Sequence, residues 1–320
     1  MSHFTVVVIG SDVDEQMEPY TEQDFTEKFE EFEDIENDSL DEYKNKEADI
    51  VVLADGSIHT KYDNQFKNAN LADYRTKYIY PVDSIVRKGK FTELFSTFEE
   101  YMEVWHGTSE RDKKTGRYGH WFNPNAKYDY YQLGGRWTGY FKPNAGATGE
   151  LGRSGAFDNK PTKGWVDNIA VGDIDVEGMQ EEAVREANET YDKLEEVLQG
   201  RELPSWTKIH EKHGEDIDAA RNEYNDNEVV KDLNKVDFFI MGDFVEVFGP
   251  NRKEYIARQK NQTMVPFAVV KDGKWYQKGE MGWWGMSTDE MTQDEWNTKF
   301  WEMIKGLQPE TELTLLDCHI

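Results

Sequence analysis

Two apolar runs decide the fold: FTVVVIG at residues 4–10 and ELTLLDC at residues 312–318. The first is rich in Val and Ile, as a buried strand should be, and the second reads as a strand that closes the sequence. If they pair in one sheet, His3 comes close to the segment Asp317-Cys318-His319. Adjacent strand side chains point to opposite faces, so Cys318 and His319 diverge and do not form a nucleophile–base dyad. Cys318 reads instead as a small buried thiol.

Working outward, Val265–Lys271 and Lys274–Lys278 flank Asp272-Gly273, which is a hairpin signature. Glu177–Leu198 carries Met179, Ala183, Ala187, Tyr191, Leu194 and Leu198 at helical spacing, and Gly200 can terminate it. A second helical piece is expected over Glu215–Asn234. A further helix runs from Asp294 to Ile304, with Ser287 or Thr288 as its cap and Trp296, Phe300 and Met303 inward. Thr21–Phe32 and Phe91–Val104 also read as helices, Ile50–Leu53 as a strand, and Val236–Phe248 as two strands meeting at Met241-Gly242-Asp243. The pattern predicts an α+β fold. Its sheet is mixed or antiparallel and includes both termini, with a helical segment around 175–235. One domain over 1–320 is expected, with 175–235 as a helical insertion or subdomain.

The formal charge of -27 over 320 residues argues against nucleic-acid binding over the bulk surface, because phosphates need positive charge opposite them. No apolar run approaches the length of a membrane-spanning helix, and no basic segment precedes the first strand. A single cysteine excludes an internal disulfide and any multi-thiolate metal site. A cytoplasmic location follows as the expectation. The charge is uneven: residues 11–50 hold 17 acids against three lysines, whereas residues 101–160 hold nine Lys and Arg against six acids.

Inside that positive island lies HWFNPNAKYDYYQLGGRWTGYF, residues 120–141. Consecutive glycine-flanked amides can cradle an anion, Arg offers a planar fork to phosphate or carboxylate, and aromatic rings can stack a base. Tyr131, Gly134, Gly135, Arg136, Trp137 and the later Trp284 are therefore the candidate ligand-binding residues. Core packing is the competing account of the same rings. His106 and His120 are the candidate proton-transfer groups. The glycine-rich continuation PNAGATGELGRSGAF reads as a mobile flap. His210 and His213 lie about one helical turn apart with Glu215 and Asp216 following, but a charged helix face explains them, so no metal is assigned. No cofactor is identified.

The blocks MSHFTVVVIG, NPNAKYDYYQLGGRWTGYF, GDIDVEGM (172–179), PFAVVKDGKWYQKGEMGWWG and LLDCHI together resemble a family of uncharacterised proteins encoded by bacteriophages and some bacterial genomes. The resemblance implies a phage-associated protein acting inside a host cell and brings no activity, cofactor or catalytic residue with it. The functional expectation is a protein that binds, or binds and hydrolyses, a phosphorylated or nucleotide-like small molecule. The alternative is an acidic inhibitor of a host protein, or a nucleic-acid mimic.

Overall fold

The computed structural model describes residues 2–22, 28–68, 77–154, 160–236, 238, 243–282 and 286–320. Where the sequence predicts one domain, the chain groups into two compact units: residues 1–21 with 126–320, and residues 22–125.

The larger unit is built on a seven-stranded sheet. Its strands are β1 (His3–Ile9), β2 (Tyr130–Gly135), β3 (Arg153–Ser154), β4 (Asn168–Ala170), β5 (Ala268–Lys271), β6 (Lys274–Gln277) and β7 (Glu312–His319). Their order is β3-β2-β7-β1-β5-β6, and β4 also pairs with β7. As predicted, the two apolar runs are neighbours: β1 and β7 run antiparallel, with His3 opposite His319 and Ile9 opposite Leu313. β1 and β5 run parallel, which makes the sheet mixed.

Both runs are mainly apolar because the sheet is covered on both faces. Val7, Ile9, Leu313 and Leu315 join one core with Phe141, Ile169, Trp296 and Phe300. Phe4, Val6, Val8, Leu316 and Cys318 join the other, with Met17 and Tyr128. His3, Thr5, Asp317 and His319 continue the first face by the strand's period of two.

The expected helical segment is present and begins with α1 (Val176–Leu198). Asp175 caps it by accepting the Gly178 N–H at 2.9 Å, and Gln199 and Gly200 end it in the left-handed region. Its stripe serves two cores. Met179 packs on the sheet, whereas Ala187 and Leu194 pack with Val230, Leu233, Phe248 and Tyr255. α2 (Arg252–Gln262) and α3 (Gln293–Ile304) complete the cover. Thr292 caps α3 in a reciprocal box with Glu295, replacing the expected Ser287 or Thr288, which form a short strand.

Three other expectations change. Phe244–Phe248 is a helix, not a strand, because Asp243 accepts the Val245 N–H and Phe244 and Phe248 fall one turn apart on a buried face. The expected meeting point at Met241-Gly242 lies outside the described residues. Phe91–Val104 breaks into Phe91–Leu94 and Phe98–Val104, with Thr97 capping the second piece. In Thr21–Phe32, residues 23–27 are outside the described set. Glu31–Asp34 is a strand paired with Gly119–Phe122, since Phe32 alternates with exposed acids and packs on Trp121.

The smaller unit also contains a three-stranded sheet, Ile58–Thr60, Glu47–Val52 and Ile85–Lys90. Its core holds Phe91, Phe95, Tyr101, Met102 and Tyr118. Among the described residues no helix is long and apolar enough to cross a membrane.

Candidate functional site: a cavity beside two buried carboxyl groups

β2 ends in Gly134-Gly135, with φ of +74° and +57°, and Arg136 follows. A Cβ on Gly134 would lie 2.4 Å from Asp167 Oδ2, and one on Gly135 would lie 2.2 Å from Asp317 Oδ2. The amides of this segment do hold acidic groups, but these belong to the chain itself. The Arg136 N–H donates to Asp317 Oδ2 at 2.9 Å. Asp167, fully buried, accepts from Gly139 N (2.7 Å) and Tyr140 N (3.1 Å) on Oδ1, and from Gly152 N (2.8 Å) and Thr138 Oγ1 (3.0 Å) on Oδ2. The two glycines expected to cradle a ligand's anion instead make room for Asp167 and Asp317.

Asp167 also pins much of the expected flap. Its N–H donates to Glu150 O, and its carbonyl accepts the Leu315 N–H, each at 2.7 Å. Pro143 bridges to Ile174, Glu150 to Asn168, and β3 pairs in parallel with β2. The rest of the proposed flap, residues 155–157, lies outside the described residues.

Held this way, the segment forms one wall of a cavity of about 450 Å³. Arg136, Trp137, Tyr140, Lys160 and Trp165 line this wall, and Glu182, Ala183 and Glu186 of α1 face it. Gln259 and Gln262 of α2 contribute the remaining amides. Trp137, Tyr140 and Trp165 also pack against the sheet's core, so the same rings serve both packing and lining. Burial pushes the Tyr140 phenol well above its ordinary value, so it remains a neutral hydroxyl rather than a base. Ala183, in the middle of the apolar stripe of α1, keeps the floor open by its small size.

The predicted ligand residues therefore divide. Arg136 and Trp137 line the cavity, and Gly134 and Gly135 shape its wall from behind. Tyr131 is on the opposite face of β2, where its hydroxyl donates to Asp14 and its ring packs in the second core. Trp284 lies outside the described residues.

His106 and His120 both belong to the smaller unit and do not line the cavity. His106 contacts the Tyr101 hydroxyl at 3.2 Å, and His120 pairs with Glu33 at 2.9 Å across the two-stranded ribbon. Elsewhere in the positive island, Arg117 pairs with Asp34, Lys127 with Glu280, and Lys142 with Asp175. His213 is bound to Glu223 at 2.6 Å, while His210 stacks on Trp206, so the two do not share a centre.

Lys160, Tyr140 and Trp165 were missed as individual residues, although composition had marked their neighbourhood. Glu182 and Glu186 carried no signal beyond flanking Ala183 on α1. The predicted approach of His3 to Asp317 is observed, at 2.7 Å between His3 Nδ1 and Asp317 Oδ1. Comparison with family models, with curated proteins and with solved structures finds no match to this chain.

Proposed function

We propose that this protein binds a small, anionic, nucleotide-like molecule in the cavity beside Arg136. One observation carries this reading: Arg136 and Lys160 line the same roughly 450 Å³ space as Trp137, Tyr140 and Trp165. That volume suits a small ligand, and a few polar groups among aromatic walls are the usual composition of such sites. The guanidinium and ammonium would hold the anionic end, and an indole face would take the flat ring. Glu182 and Glu186 on the far wall would accept from hydroxyl or amino groups, which disfavours a ligand that is anionic throughout. In the phage setting that the resemblance implies, such a protein would withdraw or consume a host small molecule.

Titration calorimetry with AMP, ADP and adenosine tests the reading. The phosphorylated compounds should bind and adenosine should bind more weakly. Arg136→Ala should weaken AMP about 10- to 100-fold, the worth of one charge-assisted contact. Equal affinity of AMP for the wild-type and Arg136→Ala proteins, or no nucleotide binding at millimolar concentration, would overturn it.

A further inference from the structure

A second cavity, of about 510 Å³, is lined by residues of α1, α2 and α3. Asp294, Asn297, Trp301 and Glu302 recur at helical spacing, so one face of α3 supplies most of it. α1 adds Gln180 and α2 adds Asn261. Asn297 is the most enclosed of these residues, at 5% exposed. Its Oδ1 accepts from Gln293 Nε2 at 2.8 Å, and its Nδ2 is buried with no hydrogen-bond partner. Native folds strand few buried donors in this way, because each one is costly. Among the described residues, the side chains of Gln180, Asn261, Asp294 and Glu302 also make no hydrogen bond or ion pair with the protein.

We propose that this second cavity binds a neutral sugar. A hydroxyl both donates and accepts, and so does a carboxamide, so a rim of hydroxyls matches Gln180, Asn261 and Asn297. Asn297 then gains the acceptor that its Nδ2 lacks. The end torsion of an Asn side chain is soft, so a small rotation presents that N–H to a group seated in the cavity. Asp294 and Glu302 accept only, which suits hydroxyl donors. The volume is in the range of small-ligand sites.

Charge and ring count separate a sugar from the other candidates. Two carboxylates, Asp294 and Glu302, face one ammonium, Lys305, so this lining has no surplus of positive charge for a phosphate. The cavity beside Arg136 differs in that respect. Trp301, half-buried against the sheet's core, is the single aromatic ring among the residues that line the second cavity. One flat apolar surface suits a pyranose, which lays its C–H groups on the ring and leaves its hydroxyls to the rim. A purine has two apolar faces to cover, and one ring covers one of them. This binding does not depend on the nucleotide-like reading of the first cavity.

The test is saturation-transfer NMR on the full chain with D-glucose, D-galactose and D-mannose at millimolar concentration, and with adenosine as the flat-ring control. At least one sugar should receive transfer. Gln180→Ala and Glu302→Ala should each weaken its binding about five- to tenfold, the worth of one hydrogen bond. Asn297→Leu keeps the branching of the side chain and removes the stranded donor, so binding should fall by about tenfold or more without loss of thermal stability. If that variant loses its native circular dichroism, the other two decide. No transfer to any sugar, as a water on Nδ2 would give, overturns the proposal, and so do unchanged affinities in the variants. Transfer to adenosine that Asn297→Leu abolishes makes the ligand a base and overturns the sugar. Sugar binding that Arg136→Ala abolishes and Asn297→Leu spares belongs to the first cavity and overturns it as well.

Discussion

Asp167 in the larger unit and Asp49 in the smaller one show two ways of using the same side chain. Asp167 is fully buried and takes three backbone N–H groups and a hydroxyl. Asp49 is partly exposed and is held between the ammonium groups of Lys61 and Lys88. The first organises backbone that could not otherwise satisfy its donors, and its loss leaves them stranded. The second joins side chains that water would solvate in any case, so little depends on it. Position, rather than residue type, decides which carboxyl shapes the site.

This contrast can be broken in order of expected effect. Asp167→Ala should be the most damaging substitution, costing about 3 kcal/mol or more because several buried donors lose their acceptor at once. Urea unfolding would measure it, and a loss under about 1 kcal/mol would contradict the assigned role. Gly135→Ala should come next, at about 2 kcal/mol, since an alanine must adopt positive φ and its Cβ meets Asp317. The amide resonance of Arg136 should shift with it.

Asp49→Asn should barely change stability at neutral pH but should alter acid behaviour. The two lysines lower the Asp49 carboxyl to about 2. Its contribution is therefore complete above the ordinary value of 3.8 and fades as the pH falls toward about 2. Circular dichroism during acid titration should show a shallower loss for the Asn variant across that window. An unchanged curve would mean that the lysine pairs contribute nothing. The smallest effect concerns Cys318, where burial, with Asp317 adjacent, raises the thiol well above its ordinary value. Native protein should leave a disulfide reagent unreacted until denaturant is added.

What could be read in the sequence follows the same division. β1, β7, the hairpin at Asp272-Gly273, α1 and α3 announce themselves through local periodicity and turn residues. The approach of His3 to Asp317 followed from pairing two such strands. Phe244–Phe248 misleads because its valines suggest a strand, while one capping carboxyl at Asp243 makes it a helix. Glu31–Asp34 is decided by a partner nearly ninety residues away. Asp167, in the phrase WVDN, carries no local mark, because its role exists only when four donors from residues 138–152 fold around it. The cavity was half legible, since composition pointed to Arg136 and Trp137 but could not show which wall α1 would supply.

The place of β7 between β1 on one side and β2 with β4 on the other also sets a schedule for synthesis. β1 emerges from the ribosome some three hundred residues before the neighbour that completes its antiparallel edge. Until residues 312–319 are made, Val6, Val8 and the rest of that strand lack half of their partners, and an unpaired apolar edge invites association with other chains. A chain cut short before residue 312 would never close this sheet. It would be recognisable to quality-control proteases by that open edge.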